Sequence, residues 1–383
     1  MHVGLSAPAS ERRVDPGFWS GRRVLLTGHT GFKGAWLATW LQLLGAEVTG
    51  LANGVPTTPS LYELARVGDG MKSDYTEDIR DFPAVVAAFT GTQPEIVIHM
   101  AAQSLVRRSL TDPRETFETN VMGTVNVLEA VRRTDECRVV VNVTSDKCYE
   151  NREWDWAYRE DEAMGGTDPY SSSKGCAELV TTSFRRSFFE PGAGGPRVAS
   201  ARAGNVIGGG DWSDDRLVPD LMRAALGGTP LLVRNPDAIR PWQHVLNPLS
   251  GYLVLAEALW ESTEYATAWN FGPADDEAQP VRWLVDRVQH RWHAELGWEL
   301  ETEPQPHEAR SLRIDSSRAR AKLGWRPAWD LEEAVDRTVT WYQAFAAGSD
   351  VRSATREQIG AFAESRGLDG DPGLPVRAGM TTP

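Results

Sequence analysis

The sequence predicts an α/β fold: a doubly wound parallel sheet with a smaller C-terminal α/β substrate-binding domain. Three observations predict it. A short apolar strand, a glycine-rich loop, a helix and a second strand follow one another between Arg23 and Leu51. Apolar runs of strand length then alternate with amphipathic runs of helix length as far as Arg202. Beyond about residue 203 the texture changes, and Gly, Pro, Trp and Asp crowd together in GNVIGGGDWSDD and RNPDAIRPWQH.

Taken in order, residues 1–17 read as a loose leader. Arg23–Thr27 (RVLLT) is the first strand, Gly28–Gly34 the loop, and Ala35–Leu44 a helix stopped by Gly45. Glu47–Leu51 is the second strand, and a third is expected just before Asp78. Phe82–Phe89 reads as helix, Glu95–Met100 as strand and Pro113–Arg133 as one long amphipathic helix. Arg138–Val143 (RVVVNV) is nearly all apolar, which suits a strand covered on both faces. Tyr170–Phe188 is helical and Arg197–Arg202 completes six strands. Residues 18–202 are therefore expected to form the dinucleotide-binding domain, with segments near 241–273 returning to it. Residues 203–345 are mainly the substrate-binding region. Residues 346–383 read as a polar, partly disordered tail with one helix at 353–365.

Composition narrows the function. The net charge of −13 argues against nucleic acid or an anionic membrane surface as the main partner. No apolar run approaches the roughly 18 residues of a membrane span. The N-terminus carries Glu11, Arg12, Arg13 and Asp15 and lacks an apolar signal core, so a cytoplasmic protein is expected. Cys137, Cys148 and Cys176 form no CxxC pair and suggest no disulfide framework. His290 and His293 share a helical face but lack further ligands nearby, so no metal is expected. Of the 40 basic residues only five are lysines: Lys33, Lys72, Lys147, Lys174 and Lys322. In a chain that writes Arg by default, a Lys marks a place where a compact ammonium is wanted.

The first loop, Gly28-His29-Thr30-Gly31-Phe32-Lys33-Gly34, follows a strand and opens a helix. Its glycines let the backbone approach a pyrophosphate, and the helix N-terminus faces that charge. No acidic residue follows the second strand; Asn53 is left to bond a ribose hydroxyl, and no Arg between 50 and 60 would hold the extra phosphate of NADP. NAD is the expected cofactor. Asp78 and Ile79 are candidates for the adenine end, an acidic turn being the equally good alternative.

Arg138–Val143 runs out into Ser145, Asp146 and Lys147, at the carboxyl end of the sheet where ligands bind. Tyr170 and Lys174 sit four residues apart on one helix face. A cationic Lys174 is expected to lower the Tyr170 phenol and let it act as a base, with Ser145 bonding the same substrate hydroxyl.

These segments resemble the extended short-chain dehydrogenase/reductase family of nucleotide-sugar enzymes. The likeness rests on TGHTGFKG, HMAAQ (99–103), TNVMGT (119–124), TSDKCYENREW (144–154), DPYSSSKGCAEL (168–179), RAGNVIGGGDW (202–212), IRPWQHV (239–245), NFGP (270–273) and PHEA (306–309). It spans about residues 18 to 345. Within the family the sequence is similar to the 4,6-dehydratases, in the branch that acts on CDP-glucose. The resemblance implies a Rossmann fold, NAD, and conversion of CDP-glucose to CDP-4-keto-6-deoxyglucose. Other epimerases or dehydratases of the family, and a non-catalytic NAD-binding sensor, stay open as alternatives.

It also implies roles. Asp146 would protonate the departing 6-hydroxyl. Lys147 stands where the family usually carries the glutamate that removes the carbon-5 proton. A lysine must shed its proton to act as base, so a neutral Lys147 is expected. Ala101, Ala102, Gln103 and Asn120, with Tyr170 and Lys174, would line the nicotinamide, and Gln103 would also reach the sugar. Asn205, Arg216, Arg234, Arg240 and His307 are the candidate substrate ligands, since a planar guanidinium grips two phosphate oxygens. Trp212 and Trp242 are candidates to stack on the base or cover the site, with core packing as the alternative. A pair of long helices, 113–133 and 170–188, implies a homodimer or higher homo-oligomer.

Overall fold

The computed structural model describes residues 10–189, 195–274, 277–292, 297–302 and 309–365. Its core is a parallel sheet whose strands are apolar on both faces. The strands are β1 (Arg23–Thr27), β2 (Glu47–Ala52), β3 (Ser73–Thr76), β4 (Ile96–His99), β5 (Val139–Val143), β6 (Arg197–Arg202) and β7 (Ala268–Asn270). They lie in the order β7-β6-β5-β4-β1-β2-β3, and each pairing is parallel. β5 is buried along its whole length, as a strand sandwiched between helix layers must be. The order reverses between β1 and β4, which opens a crevice beyond their carboxyl ends.

The sheet thus has a seventh strand beyond the six expected. β7 is three residues long and carries a tryptophan, so its sequence has no strand signature of its own. What makes it a strand is tertiary: it follows the helix Leu246–Glu261, which is buried at every residue from 246 to 259, and docks on β6 through Ala268 and Ser200. The first helix begins earlier than expected, at Phe32, with Gly31 as its N-cap. The expected long helix is continuous in direction but holds a π turn at Glu118–Met122, between Pro113–Phe117 and Gly123–Arg132. Such turns point one side chain inward, here Asn120.

Small paired strands form a second layer over the carboxyl ends. Ile239–Arg240 pairs with Gln279–Pro280, and Leu231–Val233 with Trp298–Leu300. Two segments read as peripheral are tied to the core. Asp15 N–H and Trp19 Nε1 both donate to Glu257, at 3.0 and 2.6 Å. The helix Val351–Ser365 sets Phe362 against Trp40 and Trp329, with ring centroids 5.6 and 5.1 Å apart. The remainder of the tail, 366–383, lies outside the described residues.

At the centre of the fold, Arg202 and Glu178 pair at 2.8 Å, both 3 % exposed. Glu178 also accepts from Thr144 Oγ1 and Ser200 Oγ, at 2.5 and 2.7 Å. Arg202 donates to Tyr149 Oη and the Glu160 carbonyl, at 2.8 and 3.1 Å. Burial alone would raise the Glu178 carboxyl; Arg202 and these donors outweigh it and hold the group below its ordinary value. Glu178→Gln strands a guanidinium in the interior and should cost about 3–5 kcal/mol in urea unfolding. Pairing it with Arg202→Met should recover much of that loss. A single-variant loss under about 1 kcal/mol would mean the pair does not hold the fold together.

Candidate active site

The carboxyl ends of β1, β4, β5 and β6 open into a cavity of about 730 Å³, within the size range of small-molecule sites. One wall is the glycine loop. Gly28 has φ +74°, and a Cβ there would lie 2.8 Å from the Ala101 backbone, so the residue after β1 must be glycine for the β1 and β4 loops to meet. Thr30 Oγ1 donates to the Gly54 carbonyl at 2.7 Å and fixes the loop to the end of β2. No side chain caps the helix that starts at Phe32, and Gly31, Phe32, Lys33 and Gly34 line the cavity beside its N-terminus. This is a cradle for a dinucleotide pyrophosphate. Asn53 and Asp78 come together at its far end, 3.5 Å apart, with Ile79, Ala101, Ala102 and Gln103 along the same wall. Asp78 is held below its ordinary value: burial opposes this, and hydrogen bonds from Arg80 overcome it.

His29 does not line this wall. It is fully buried under the loop, packed on Gly50 and 2.9 Å from the Asp74 carboxylate. Burial lowers its pKa. Its work is to seat the loop on β2 and β3. Asn120 likewise lies behind the wall. Its Oδ1 accepts from Gln103 N–H, and its Nδ2 donates to Gln103 O and Ser173 Oγ, at 2.8, 2.9 and 2.8 Å. Gln103 spends its own amide on Leu105 and Thr116. The two amides tie the β4 loop to the helix Pro169–Phe188.

The opposite wall holds Ser145, Asp146, Lys147, Tyr170 and Lys174 together. A short turn at Asp146–Cys148 follows β5, capped by Ser145 Oγ on Lys147 N–H at 3.2 Å. Ser145 Oγ also donates to Asp146 Oδ1 at 3.0 Å and lies within hydrogen-bonding reach of the Tyr170 phenol. Asp146 Oδ2 is buried and has no hydrogen-bond partner in the protein. Burial raises the Asp146 carboxyl, against the pull of Lys147, Ser145, Arg240 and Lys33, so this group tends to keep its proton.

Lys174 does not act on Tyr170 as expected. Its Nζ turns to the Val143 carbonyl at 3.5 Å, and burial draws it down to about 8. Tyr170 is pushed up to about 12, chiefly by burial, with Ser145 and Arg216 opposing. The pair shares a helix face, as its spacing predicts, but desolvation of the phenol outweighs any help from the ammonium.

Asn205, Arg216, Arg234 and Arg240 line the outer part of the cavity. Arg216 bonds Asp211 at 3.0 Å and Ser104 Oγ at 2.9 Å. Arg234 donates to the Asp215 carbonyl at 3.2 Å. His307 lies outside the described residues. Trp242 lines the cavity and donates to Gln279 O at 3.1 Å. Trp212 is core, packed on Tyr342 and Phe345. Sequence inspection missed Arg107, which lines the mouth and meets Asp215 at 3.4 Å. It also missed Tyr252, which receives the Lys33 ammonium at 2.9 Å. Neither carries a local signal, since both depend on distant partners. Among the described residues no group of His, Cys, Asp or Glu could hold a metal ion, and no helix is long and apolar enough to cross a membrane.

Comparison with known proteins agrees with this geometry. The chain is 51% identical over 353 residues to the CDP-glucose 4,6-dehydratase of Salmonella typhimurium, covering 91% of this chain and 98% of that one. A dTDP-glucose 4,6-dehydratase of Streptomyces venezuelae, solved with NAD bound, superposes with TM-score 0.73 at 21% identity, covering 86% of this chain and 99% of that one. A UDP-glucose 4-epimerase of Thermus thermophilus in complex with NAD gives TM-score 0.72 at 24% identity, covering 84% and 99%. These structural likenesses speak to the doubly wound fold. The family model described as GDP-mannose 4,6 dehydratase matches residues 25–338, and the chain belongs to that family.

Proposed function

We propose that the protein is an NAD-dependent nucleotide-sugar 4,6-dehydratase that converts CDP-glucose to CDP-4-keto-6-deoxyglucose. The observation that carries this is Asp146: a buried, proton-holding carboxyl with one unpartnered oxygen, in the same cavity as Tyr170 and a dinucleotide cradle. An epimerase needs the tyrosine and the cradle. Only loss of the 6-hydroxyl needs the additional acid. The relative at 51% identity is itself a CDP-glucose 4,6-dehydratase.

Gly28, Gly31 and Gly34 fit the pyrophosphate of NAD, and Asn53 and Asp78 fit its ribose and adenine end. When bound, NAD supplies the acceptor and later the donor of one hydride, and its positive ring favours the Tyr170 phenolate. Tyr170 takes the proton from the 4-hydroxyl, which Ser145 holds by a second hydrogen bond. The resulting ketone acidifies carbon 5. Lys147 removes the carbon-5 proton while Asp146 gives its own to the leaving 6-hydroxyl. Arg216, Arg234 and Arg240 with Asn205 hold the substrate pyrophosphate.

The assembly is a homodimer in this reading. Phe117, Met122, Leu179 and Phe188 are 37, 51, 61 and 49 % exposed on the neighbouring helices 113–132 and 169–188. Such a cluster is what an intersubunit helix bundle would cover. Three free cysteines suit a cytoplasmic enzyme.

Purified protein given CDP-glucose should release a nucleotide sugar lighter by one water. A product of unchanged mass would point to epimerisation instead, and no turnover of any nucleotide hexose by NAD-loaded protein to a sensor. Tyr170→Phe should lower kcat by roughly 10²–10⁴ with little change in KM. Lys147→Arg keeps the charge but cannot deprotonate at working pH, so it should halt dehydration. Near-normal product formation by that variant would end the base role. Light scattering should report a dimer for the native chain and a monomer for Leu179→Glu; a native monomer would end the dimer proposal.

A further inference from the structure

Lys33 is the second residue of the helix that opens at Phe32, where a pyrophosphate ligand was expected. Its ammonium turns inward instead. Nζ donates to Tyr252 Oη at 2.9 Å and lies 5.1 Å from that ring's centroid. Tyr252 is fully buried on the helix Leu246–Glu261, beneath the cavity that Lys33 lines with Asp146, Tyr170 and Lys174. Among the described residues Lys33 forms no ion pair. An ammonium enclosed against a neutral phenol is costly to keep, because neither a carboxylate nor bulk water offsets its desolvation. The charged groups that act on it come from three other elements: Lys174 on the helix Pro169–Phe188, Arg216 on the loop before Leu217, and Asp146 after β5. Burial and the two cations draw Lys33 down to about 7; Asp146 is the group that favours its charge.

The geometry points to Lys33 as a positioning residue for the elimination step, its ammonium held on Tyr252 as a counter-charge for Asp146 once that acid has given up its proton. In that step the carbon-5–hydrogen pair becomes the new carbon–carbon double bond, and its proton passes to Lys147. The carbon-6–oxygen pair leaves with the Asp146 proton as water. Asp146 is left as a buried carboxylate. Lys147 and Arg240 also act on Asp146, but Lys33 approaches from the floor of the site, set by a helix of the opposite half. A fixed charge that is unneeded in the resting site and favourable once charge develops lowers the barrier of that step alone.

The inference rests on the dehydratase reading, and the native chain tests that reading separately by turning over CDP-glucose. Lys33→Met removes the charge at similar volume. Acid-quenched single turnovers, read by mass spectrometry, separate the oxidised sugar (two hydrogens lighter) from the eliminated product (one water lighter). Lys33→Met should accumulate the oxidised sugar, with elimination slowed roughly tenfold or more relative to oxidation. Nicotinamide content of the purified variant should match the native chain. Should Lys33→Met not fold, Tyr252→Phe removes the anchor without touching the loop and should shift the partition in the same direction. A native partition together with lost nicotinamide would reduce Lys33 to a cofactor clamp. A native partition with full nicotinamide would overturn the inference outright.

Discussion

The Glu178–Arg202 pair is the interaction on which the rest of the site depends. Two buried charges are worth keeping only when their geometry and hydrogen bonds satisfy both partners, and here they do. Glu178 belongs to the helix that carries Tyr170 and Lys174, at four-residue spacing, so all three share one face. Anchoring Glu178 to β6 and to Thr144 fixes the rotation of that helix about its axis. Tyr170 and Lys174 are then aimed at the end of β5. Arg202 passes the constraint on through Tyr149, whose hydroxyl donates to Asn270 Oδ1 at 2.7 Å. The catalytic helix, three strands and the loop after Lys147 are thereby held in one frame.

Within that frame burial pushes every titratable group toward its uncharged form. Asp146 and Tyr170 are raised, while Lys33 and Lys174 are lowered to about 7 and 8. A centre of this kind holds protons on its acids and holds its lysines close to losing theirs. Environments that push neighbouring groups apart in this way assign donor and acceptor roles. Three of the five lysines, Lys33, Lys147 and Lys174, line this one cavity. An arginine would stay charged in such a place and would need a bonded anion. The scarcity of lysine in an arginine-rich chain therefore has a local chemical meaning at these positions.

How much of this was legible depended on whether the signal was local. The strand, glycine loop and helix between Arg23 and Leu43 were readable, because turn geometry and periodicity are written in neighbouring residues. Ser145 and Asp146, with Tyr170 and Lys174, were readable from a strand end and a helix spacing. β7 was not, because three residues around Trp269 become a strand only when β6 is there to pair with. The π turn that points Asn120 inward depends on Gln103 and Ser173. His29 lies within the loop motif yet faces away from the ligand, because Gly50 leaves room for its ring. Lys33 could be placed in the loop, but its direction is set by Tyr252, 219 positions away. Residues 10–19 looked loose because Glu257, which receives Asp15 and Trp19, is equally distant in sequence.

The division of labour between the two halves of the chain follows from where Asp146 sits. The doubly wound half supplies the cradle, the tyrosine and the strand end, which suffice for moving a hydride and a proton. The burial that keeps Asp146 protonated comes from the other side. A Cβ at Gly204 would collide with Asp146 Oδ2 and lie 3.1 Å from the Pro241 ring, so this carboxyl is packed against the segment that leaves β6 and the strand-like segment around Arg240. Any side chain at 204 would displace the acid or force the substrate-binding layer to open. With that layer open, Asp146 would regain water and ionise as an ordinary carboxylate, losing the proton that elimination requires. Redox chemistry is thus written into the sheet, whereas dehydration depends on the second layer closing over the end of β5.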